Sequence, residues 1–288
     1  HNRGVAHIGV PWYNVIGNHD LNHSARTDAD SDETFHRVYG PNYYSFDYGS
    51  VHFIALDDVE WTRSKENERG TYRGALDADQ LEFIRRDLEM IPHDQMVVLM
   101  MHIPLVYVDN RQELYRLIEN RPHCVSISGH THYQEHRFIT SKDGWMGPEP
   151  HHHIINATVC GGWWSGVKDE LGIPHATMSD GAPNGYSVMT FDGKNYDWEF
   201  VAARRPVTYQ MHIWAPEMWR PMADEPTTEV LVNVYGGSER STVEMRVGVD
   251  SAWTRLEKVR RPDPYLEQAR KREKAAGKAD HRPLPESI

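Results

Sequence analysis

Three apolar runs in the first half of the chain each end at a short polar motif. Residues 10–16 lead into Gly17-Asn18-His19-Asp20, residues 96–101 lead into a lone His102, and residues 124–128 lead into Gly129-His130-Thr131-His132. Short apolar runs of this kind predict buried strands. Polar residues just beyond the carboxyl ends of strands gather in one crevice of an α/β sheet, so we expect the three motifs to meet in space.

Polar stretches and apolar residues at helical spacing lie between these motifs. The elements that they predict are a short helix near residues 34–39, a hairpin of residues 43–48 and 51–56 around Gly49-Ser50, a helix from Ala75 to about Ile91, and a helix near residues 111–119. Asp77 and Gln80 are placed to cap the longest helix as a pair. This alternation of strands and helices implies a sheet covered by helices.

After His132 the pattern changes to short strands and glycine-rich loops. Strands are predicted over residues 154–160, 186–191 and 195–202, and Arg204-Arg205-Pro206 marks a boundary. Beyond the boundary, residues 228–235 and 242–249 alternate with period two around Gly236-Gly237, which predicts a hairpin with one buried face. A charged helix from Pro264 to Lys278 is predicted to be solvated, and residues 282–285 are predicted to form a linker. The chain is therefore divided into residues 1–204 and a small, incomplete β-sandwich-like domain over residues 205–288.

The composition is typical of a globular chain with a sizeable core, because 39% of the 288 residues are hydrophobic and 25% are charged. No apolar run approaches the roughly 18 residues of a membrane span. The formal net charge of −11 disfavours general binding to nucleic acid, since phosphate backbones attract basic surfaces. A small phosphorylated substrate is still compatible with this charge, because bound metal ions would supply local positive charge.

The three motifs in this order, each after a predicted strand, closely resemble those of the calcineurin-like metallophosphoesterase superfamily. Any one of them is a weak signal, whereas three in order are specific. The resemblance implies an α/β (α+β) fold with a β-sandwich core flanked by helices, and hydrolysis of phosphoester bonds at a dinuclear metal site. The segment Gly161-Gly162-Trp163-Trp164 and the strands after it resemble the branch of the superfamily that carries an appended C-terminal β domain.

The resemblance also implies the metal ligands. Asn18, His102 and His130 would bind one ion through an amide oxygen and two imidazoles, and His132 would bind a second ion. Two divalent ions would activate a water molecule and clamp the phosphoryl group that is transferred. Imidazole, amide and carboxylate ligands suit Mn, Fe or Zn without selecting one of them.

Other residues near the motifs receive roles of their own. The resemblance implies that His19 assists the leaving oxygen and that Asp20 orients either the loop or His19. Trp163 and Trp164 are candidate substrate-binding residues, with a place in the core or in a lid as the alternative. The segment His151-His152-His153 is predicted to be exposed or to support the metal ligands, rather than to form an extra metal site.

The surroundings of the ligands can also be predicted in part. Gly17 and Gly129 are expected to adopt backbone angles closed to other residues or to allow a close approach. A ligand imidazole normally needs an acceptor that fixes its tautomer. Asp57, Asp58 and backbone carbonyl groups are the candidates for that acceptor, and the sequence does not choose among them.

Two further motifs of the superfamily, a D-x-H and a G-D-x-x-D, are not found before Gly17. We therefore interpret the sequence as a fragment that begins after the second motif, with an incomplete site and low activity on p-nitrophenyl phosphate. The alternative is a non-catalytic fragment or degenerate relative that acts as a metal- or phosphate-binding module. Because similar proteins are often exported by bacteria, a periplasmic or extracellular location is an expectation.

Overall fold

The structure is a computed structural model that describes residues 7–63, 70–156, 159–163, 166–215 and 228–277. Contacts divide the chain into two compact units. The first unit comprises His1–His130, Phe138–His153 and Phe191–Asn195, and the second comprises Thr131–Arg137, Ile154–Thr190 and Tyr196–Ile288. The linear boundary near residue 204 stays a prediction.

Five helices are present in the described part of the chain. They are α1 (Asp28–Ser31), α2 (Glu33–Tyr39), α3 (Ala78–Met90), α4 (Arg111–Ile118) and α5 (Pro264–Ala275). Short 3₁₀ turns cover Leu105–Tyr107 and Ser141–Asp143. The predicted helices are thus confirmed within a few residues at each end. No helix among the described residues combines the length and the apolar character that crossing a bilayer requires.

The described strands form one large sheet and several two-stranded ones. They are β1 (Tyr44–Tyr48), β2 (Val51–Ala55), β3 (Val59–Thr62), β4 (Thr71–Gly74), β5 (Met96–Met100), β6 (Cys124–Ser128), β7 (Glu135–Ile139), β8 (His151–Ile155), β9 (Gly185–Asp192), β10 (Asn195–Ala202), β11 (Met211–Trp214), β12 (Leu231–Val234), β13 (Glu244–Met245) and β14 (Thr254–Arg255). The large sheet has the order β1-β2-β5-β6-β8-β7. A central sheet with few helices and small additional sheets confirms the predicted mixed α/β class.

Three neighbouring strands of the large sheet run parallel and determine where the polar motifs lie. β1 and β2 form the predicted antiparallel hairpin, in which Gly49 adopts a φ of +62° at the turn. β2 then pairs with β5, and β5 pairs with β6, both in parallel. The residues that follow these three strands therefore emerge at the same edge of the sheet.

The first turn of helix α3 is capped and also binds the loop that follows β2. The Asp77 side chain accepts a hydrogen bond from the backbone N–H of Gln80 at 2.7 Å, as the sequence predicts. The Gln80 side chain does not return to the cap. It bridges the backbone of Asp57 instead, accepting from its N–H at 2.8 Å and donating to its carbonyl oxygen at 2.7 Å. The predicted capping pair is therefore only half formed, because the buried backbone of Asp57 needs both of these partners.

The apolar core of the first unit lies between this sheet and its helices. Its buried members come from β2, β5, α3, α4 and the loops that join them, and include Ile54, Ile84, Val97, Leu99, Leu114 and Ile118. Leu81, on α3, and Ile91, directly after it, pack against this core while partly exposed. The helical spacing of the apolar residues thus gives the correct face of the helix.

The predicted strand over residues 10–16 is wrong. Residues 11–17 carry no strand pairing, and among them Pro11, Trp12 and Tyr13 are exposed. Pro11 has no N–H to donate to a strand partner, and the side chains lack the alternating burial of a sheet surface. Side-chain contacts hold the segment instead: Ile16 is fully buried, and the Tyr44 hydroxyl donates to the Asn14 carbonyl oxygen at 2.8 Å.

The strand predicted over residues 154–160 begins and ends earlier in the structure. β8 covers His151–Ile155 rather than residues 154–160, whose last part forms a turn at residues 159–163. The histidines at 151 and 153 lie within this strand and are only 3% and 0% exposed. The expectation that this segment is exposed is therefore wrong for both residues, since strand alternation turns them into the protein interior.

Two buried serines on β6 give these histidines their hydrogen-bond partners. Ser126 Oγ lies 2.8 Å from His151 Nε2 and 2.7 Å from His153 Nδ1, and Ser128 Oγ lies 2.9 Å from His153 Nε2. The Leu105 N–H donates to the same His153 Nε2 at 3.3 Å. Because that nitrogen accepts, the proton of a neutral His153 sits on Nδ1 and is donated to Ser126, whose hydroxyl can then donate to His151.

The second unit is built from two-stranded sheets around a small core. β9 pairs with β10, where burial alternates as the sequence predicts, and Phe200 packs with Met178, Ala182, Ala202 and Tyr235. The predicted hairpin of residues 228–235 and 242–249 is wrong, because β12 pairs with β11 and β13 pairs with β14. Val247 and Val249 are 75% and 77% exposed, so they form no buried face. A period of two identifies a strand but not its partner.

Helix α5 is less solvated than its charged sequence predicts. Leu266 and Ala269 are buried, and Asp263 caps the first turn by accepting from the Leu266 N–H at 2.9 Å. Glu273, near the end of the helix, lies 2.7 Å from His175 Nε2. Two apolar side chains on one face are therefore enough to dock this helix. The linker predicted over residues 282–285 lies outside the described residues.

The buried histidine pair predicts a measurable dependence of stability on pH. Burial, with a smaller contribution from His152, lowers the pKa of His151 to about 3. The unfolded chain binds a proton on this residue below about pH 6.5, whereas the folded chain does so only near pH 3, so stability rises with pH between these values. At pH 5 this residue alone should lower the free energy of unfolding by about 2 kcal/mol relative to pH 7.

The variant His151→Gln tests this prediction, because its amide can reach Ser126 but does not titrate. Urea unfolding at pH 7 and pH 5 should show a loss that is smaller by about 2 kcal/mol in the variant than in the wild type. Equal losses in the two proteins would contradict a buried, neutral His151.

Candidate functional site

The first motif forms a tight turn that is closed by its own carboxylate. The Asp20 N–H donates to the Gly17 carbonyl oxygen at 2.8 Å, and Asp20 Oδ2 accepts from the Gly17 N–H at 2.9 Å. Asn18 is buried within this turn, whereas His19 and Asp20 are exposed. Of the two roles expected for Asp20, orienting the loop has direct geometric support.

The backbone of His102 is held on both sides where the chain leaves β5. Its N–H donates to Asp58 Oδ1 at 2.9 Å, and its carbonyl oxygen accepts from the Gly129 N–H at 3.0 Å. Asp58 follows β2 and Gly129 follows β6, so both contacts depend on the parallel pairing of the three strands. These contacts place the imidazole of His102 between the other two motifs.

The side chains of Asn18, His102 and His130 converge. His102 Nε2 lies 2.7 Å from Asn18 Oδ1 and 3.0 Å from His130 Nδ1. The two imidazole rings meet nearly edge to face, with centroids 4.9 Å apart. Three of the four predicted ligands are therefore brought together in the first unit.

The convergence fits a divalent metal ion. Two ligand atoms that are each about 2.1 Å from one ion and at right angles to each other lie about 3.0 Å apart. The 3.0 Å between His102 Nε2 and His130 Nδ1 matches this geometry, whereas the 2.7 Å to Asn18 Oδ1 is the shorter spacing of a direct hydrogen bond. Imidazole nitrogen with amide oxygen is a donor set suited to Mn, Fe or Zn. Within the described ranges, no three His, Cys, Asp or Glu side chains are grouped so that they could hold an ion. The set found here consists of two imidazoles and one amide.

His132 belongs to the second unit, where its orientation is fixed by a backbone carbonyl. Its Nδ1 lies 2.6 Å from the Gly161 carbonyl oxygen, which can only accept, so Nδ1 carries the proton of the neutral ring. Nε2 is then the unprotonated nitrogen, which is the form that binds metal. Of the acceptors expected for ligand imidazoles, a backbone carbonyl serves His132, whereas Asp58 binds the backbone of His102 rather than its ring.

Trp163 packs against the ring of His132, with centroids 4.6 Å apart and planes inclined by 33°. Its side chain is 47% exposed, and its backbone has a φ of +70°. At this exposure Trp163 is not a core residue, and whether it contacts a substrate or belongs to a lid stays a prediction. Trp164 lies outside the described residues.

The two motif glycines differ in what the structure demands of them. A Cβ on Gly17 would lie 2.9 Å from His102 Nδ1, whereas a Cβ on Gly129 would meet nothing within 4 Å. Neither glycine has a positive φ. The left-handed backbone occurs instead at His130 (φ +67°) and His132 (φ +58°), where it is uncommon for residues other than glycine and is found at functional sites. The expectation of special backbone angles at Gly17 and Gly129 is therefore wrong, and close approach explains Gly17 alone.

Burial of acidic groups shapes the electrostatics beside the site. Burial raises the pKa of Asp58 to about 7, while the N–H groups of Ile103 and His102 oppose this shift. Burial and the nearby Asp32 carboxylate raise the pKa of Asp57 well above its usual value. Asn42 donates to both Asp57 and Asp32, at 2.8 and 2.9 Å. The two consecutive aspartates thus have separate partners.

Two residues that were not predicted from the sequence, Tyr72 and His23, contact the site. Tyr72, on β4, meets the ring of His130 edge to face, with centroids 5.9 Å apart. His23 Nε2 lies 3.2 Å from the Asn18 carbonyl oxygen, five residues along the chain. His23 could have been found by its proximity to the first motif. Tyr72 could not, because a lone tyrosine on a short strand carries no signal of what it contacts.

Comparison with known proteins decides the family. The family model described as Calcineurin-like phosphoesterase matches residues 2–134, and the one described as C terminal of Calcineurin-like phosphoesterase matches residues 153–287. The chain belongs to the calcineurin-like phosphoesterases, in the form with an appended C-terminal domain. This superfamily hydrolyses phosphoesters and generally uses divalent metal ions, which agrees with the donor set around His102. No curated protein matches the chain.

The contrast between the two motif glycines predicts opposite outcomes for the same substitution. Gly17→Ala should push the His102 ring away from Asn18 and His130 and weaken binding of Mn²⁺ by about tenfold or more, as changes next to metal ligands commonly do. Gly129→Ala should leave Mn²⁺ binding and the melting temperature near the wild-type values, because its Cβ enters open space. Calorimetric titration of both variants checks this prediction, and equal effects would contradict the close packing of His102 on Gly17.

Proposed function

We propose that this phosphoesterase hydrolyses small phosphorylated substrates with a divalent ion held by Asn18, His102 and His130. The observation that carries the proposal is the approach of Asn18 Oδ1 and His130 Nδ1 to within 3.0 Å of His102 Nε2. These atoms come from three loops that are far apart in sequence, and all three are metal donors.

Hydrogen bonds within the protein orient the proposed ligand residues. Asn18 is buried in the turn that Asp20 closes, and the backbone of His102 is bound by Asp58 and Gly129. His130 adopts its left-handed conformation in the same arrangement. A divalent ion in this position would lower the pKa of a water molecule and neutralise charge on the phosphoryl oxygens. We further propose, from the resemblance, that His132 contributes to a second ion.

We assign His19 to proton transfer rather than to metal binding. It is the exposed residue next to the buried ligand Asn18, on a turn that Asp20 holds rigid. An exposed imidazole at this position can give a proton to the leaving oxygen, because histidine is the side chain most often used as a general acid. Asp20 acts through the turn, and Trp163 is proposed to contact the substrate.

Metal content and turnover together test these assignments. Wild-type protein, His130→Ala, His19→Ala and the exposed control His93→Ala are loaded with Mn²⁺, desalted and analysed for bound metal and for hydrolysis of p-nitrophenyl phosphate. His130→Ala should lose metal and activity together. His19→Ala should keep its metal while kcat falls by about 10²–10⁴-fold, the usual contribution of a general acid. His93→Ala should match the wild type.

The possible outcomes separate the competing interpretations. Loss of metal in His19→Ala would show that this residue is a ligand and that its role is misassigned. Full metal content in His130→Ala would refute the ligand set. Stoichiometric metal in the wild type without even the low hydrolysis expected of an incomplete site would favour the alternative of a metal- or phosphate-binding module.

A further inference from the structure

Asp58 is fully buried between β2 and β3, next to the loop that carries His102. Its Oδ1 accepts from the His102 N–H at 2.9 Å and from the Ile103 N–H at 3.1 Å, and its Oδ2 accepts from the Ile103 N–H at 3.0 Å. The carboxylate therefore binds two consecutive backbone groups where the chain turns away from β5. Both N–H groups would be left buried without an acceptor if this side chain were absent, which is costly.

The position of His102 depends on this contact because few other directions are open to the residue. Its carbonyl oxygen is bound by the Gly129 N–H, and its ring packs against the space where Gly17 has no Cβ. The backbone at His102 is thus held by a partner on each side. If the Asp58 partner is lost, the loop can rotate about the remaining contact and carry the imidazole away from Asn18.

The neighbouring Asp57 provides a matched comparison. It is also buried, at 8% exposure, but its carboxylate accepts from the Val59 N–H at 3.1 Å and from Asn42 Nδ2 at 2.8 Å. None of these partners is a residue of the predicted metal site. Two consecutive buried aspartates therefore differ in whether they contact His102.

We propose that Asp58 is a positioning residue for the metal site, whose carboxylate fixes the backbone of His102 and so holds its Nε2 beside Asn18 Oδ1 and His130 Nδ1. The inference rests on the proposed function, in which His102 is a metal ligand. A purely structural role for Asp58 would instead affect folding without a specific effect on the metal.

The substitution Asp58→Asn keeps the shape of the side chain and changes one acceptor. The amide oxygen can still accept from one backbone N–H, but its NH₂ group would face the other N–H as a second donor. A buried donor without an acceptor is costly, so the loop must shift to relieve the conflict. Asp57→Asn makes the same chemical change one residue away and serves as the control.

Titration of the metal-free 288-residue chain with Co²⁺ tests the proposal, since the visible absorption of the bound ion reports the geometry of its ligands. In Asp58→Asn the apparent Kd for Co²⁺ should rise by about 10–100-fold, and the absorption band should change shape. In Asp57→Asn the Kd should stay within about twofold of the wild type, because that carboxylate has separate partners. Melting temperatures of both variants report their effects on folding.

The results distinguish failure of the proposed ligand set from failure of the positioning role of Asp58. If the wild type binds no Co²⁺, the ligand set of the proposed function fails and this inference fails with it. If the wild type binds and Asp58→Asn binds equally well, only the positioning role is overturned. Equal losses in Asp58→Asn and Asp57→Asn would also overturn it, because they would indicate a general effect of buried aspartates on stability.

A second variant and a direct measurement cover the case in which Asp58→Asn does not fold. Asp58→Ser keeps one acceptor and removes the conflict, so it should fold and still show the weakened Co²⁺ binding. If that variant also fails to fold, amide hydrogen exchange of the metal-free wild type decides. Exchange at His102 and Ile103 at least about a hundredfold slower than at exposed loop amides supports the proposal, and exchange at loop rates overturns it.

Discussion

The parallel pairing of β2, β5 and β6 is the constraint on which the first unit depends. Because these strands run in the same direction, the residues that follow them emerge at one edge of the sheet, which brings Asp58, His102 and Gly129 within hydrogen-bonding distance of one another's loops. A shift of one residue in the register of β5 would exchange the side chains on its two buried faces and move His102 away from both of its backbone partners. The chemistry of the site is therefore a consequence of strand register rather than of any single loop.

Polar groups can be buried at this edge of the sheet because nearly every one has a hydrogen-bond partner. Gln80 satisfies the backbone of Asp57, Asp58 satisfies two N–H groups, and His153 joins β8 to β6 and to the Leu105 N–H. In a low-dielectric interior such networks are strong when they are complete and costly when one member is missing. The same contacts hold the loops that follow β2 and β5 in position.

Local signals account for most of what the sequence predicts correctly. The turn at Gly49-Ser50, the cap at Asp77 and the apolar run before His102 each specify an element through neighbouring residues, and the proximity of the second and third motifs follows from strand order. The failures are non-local. Alternation in residues 228–235 identifies a strand, but its partner β11 lies in a different segment. The histidines of β8 look polar, yet hydroxyl groups on β6 make their burial possible. The sequence also could not show which of Asp57 and Asp58 contacts the loop of His102, because that depends on which carboxylate faces the end of β5.

Two different hydrogen-bond partners orient the predicted ligand histidines, and only one of these partners is a side chain. His102 is held through its backbone by Asp58, whereas the ring of His132 is held by the Gly161 carbonyl oxygen. Gly161 has a φ of +49° and leaves no room for a Cβ beside the Ala176 carbonyl oxygen, so the turn that presents this acceptor requires glycine. The glycine in the Gly161-Gly162-Trp163 segment therefore acts on His132 through the path of the main chain. A residue without a side chain can in this way fix the tautomer of a metal-binding imidazole as firmly as a carboxylate can.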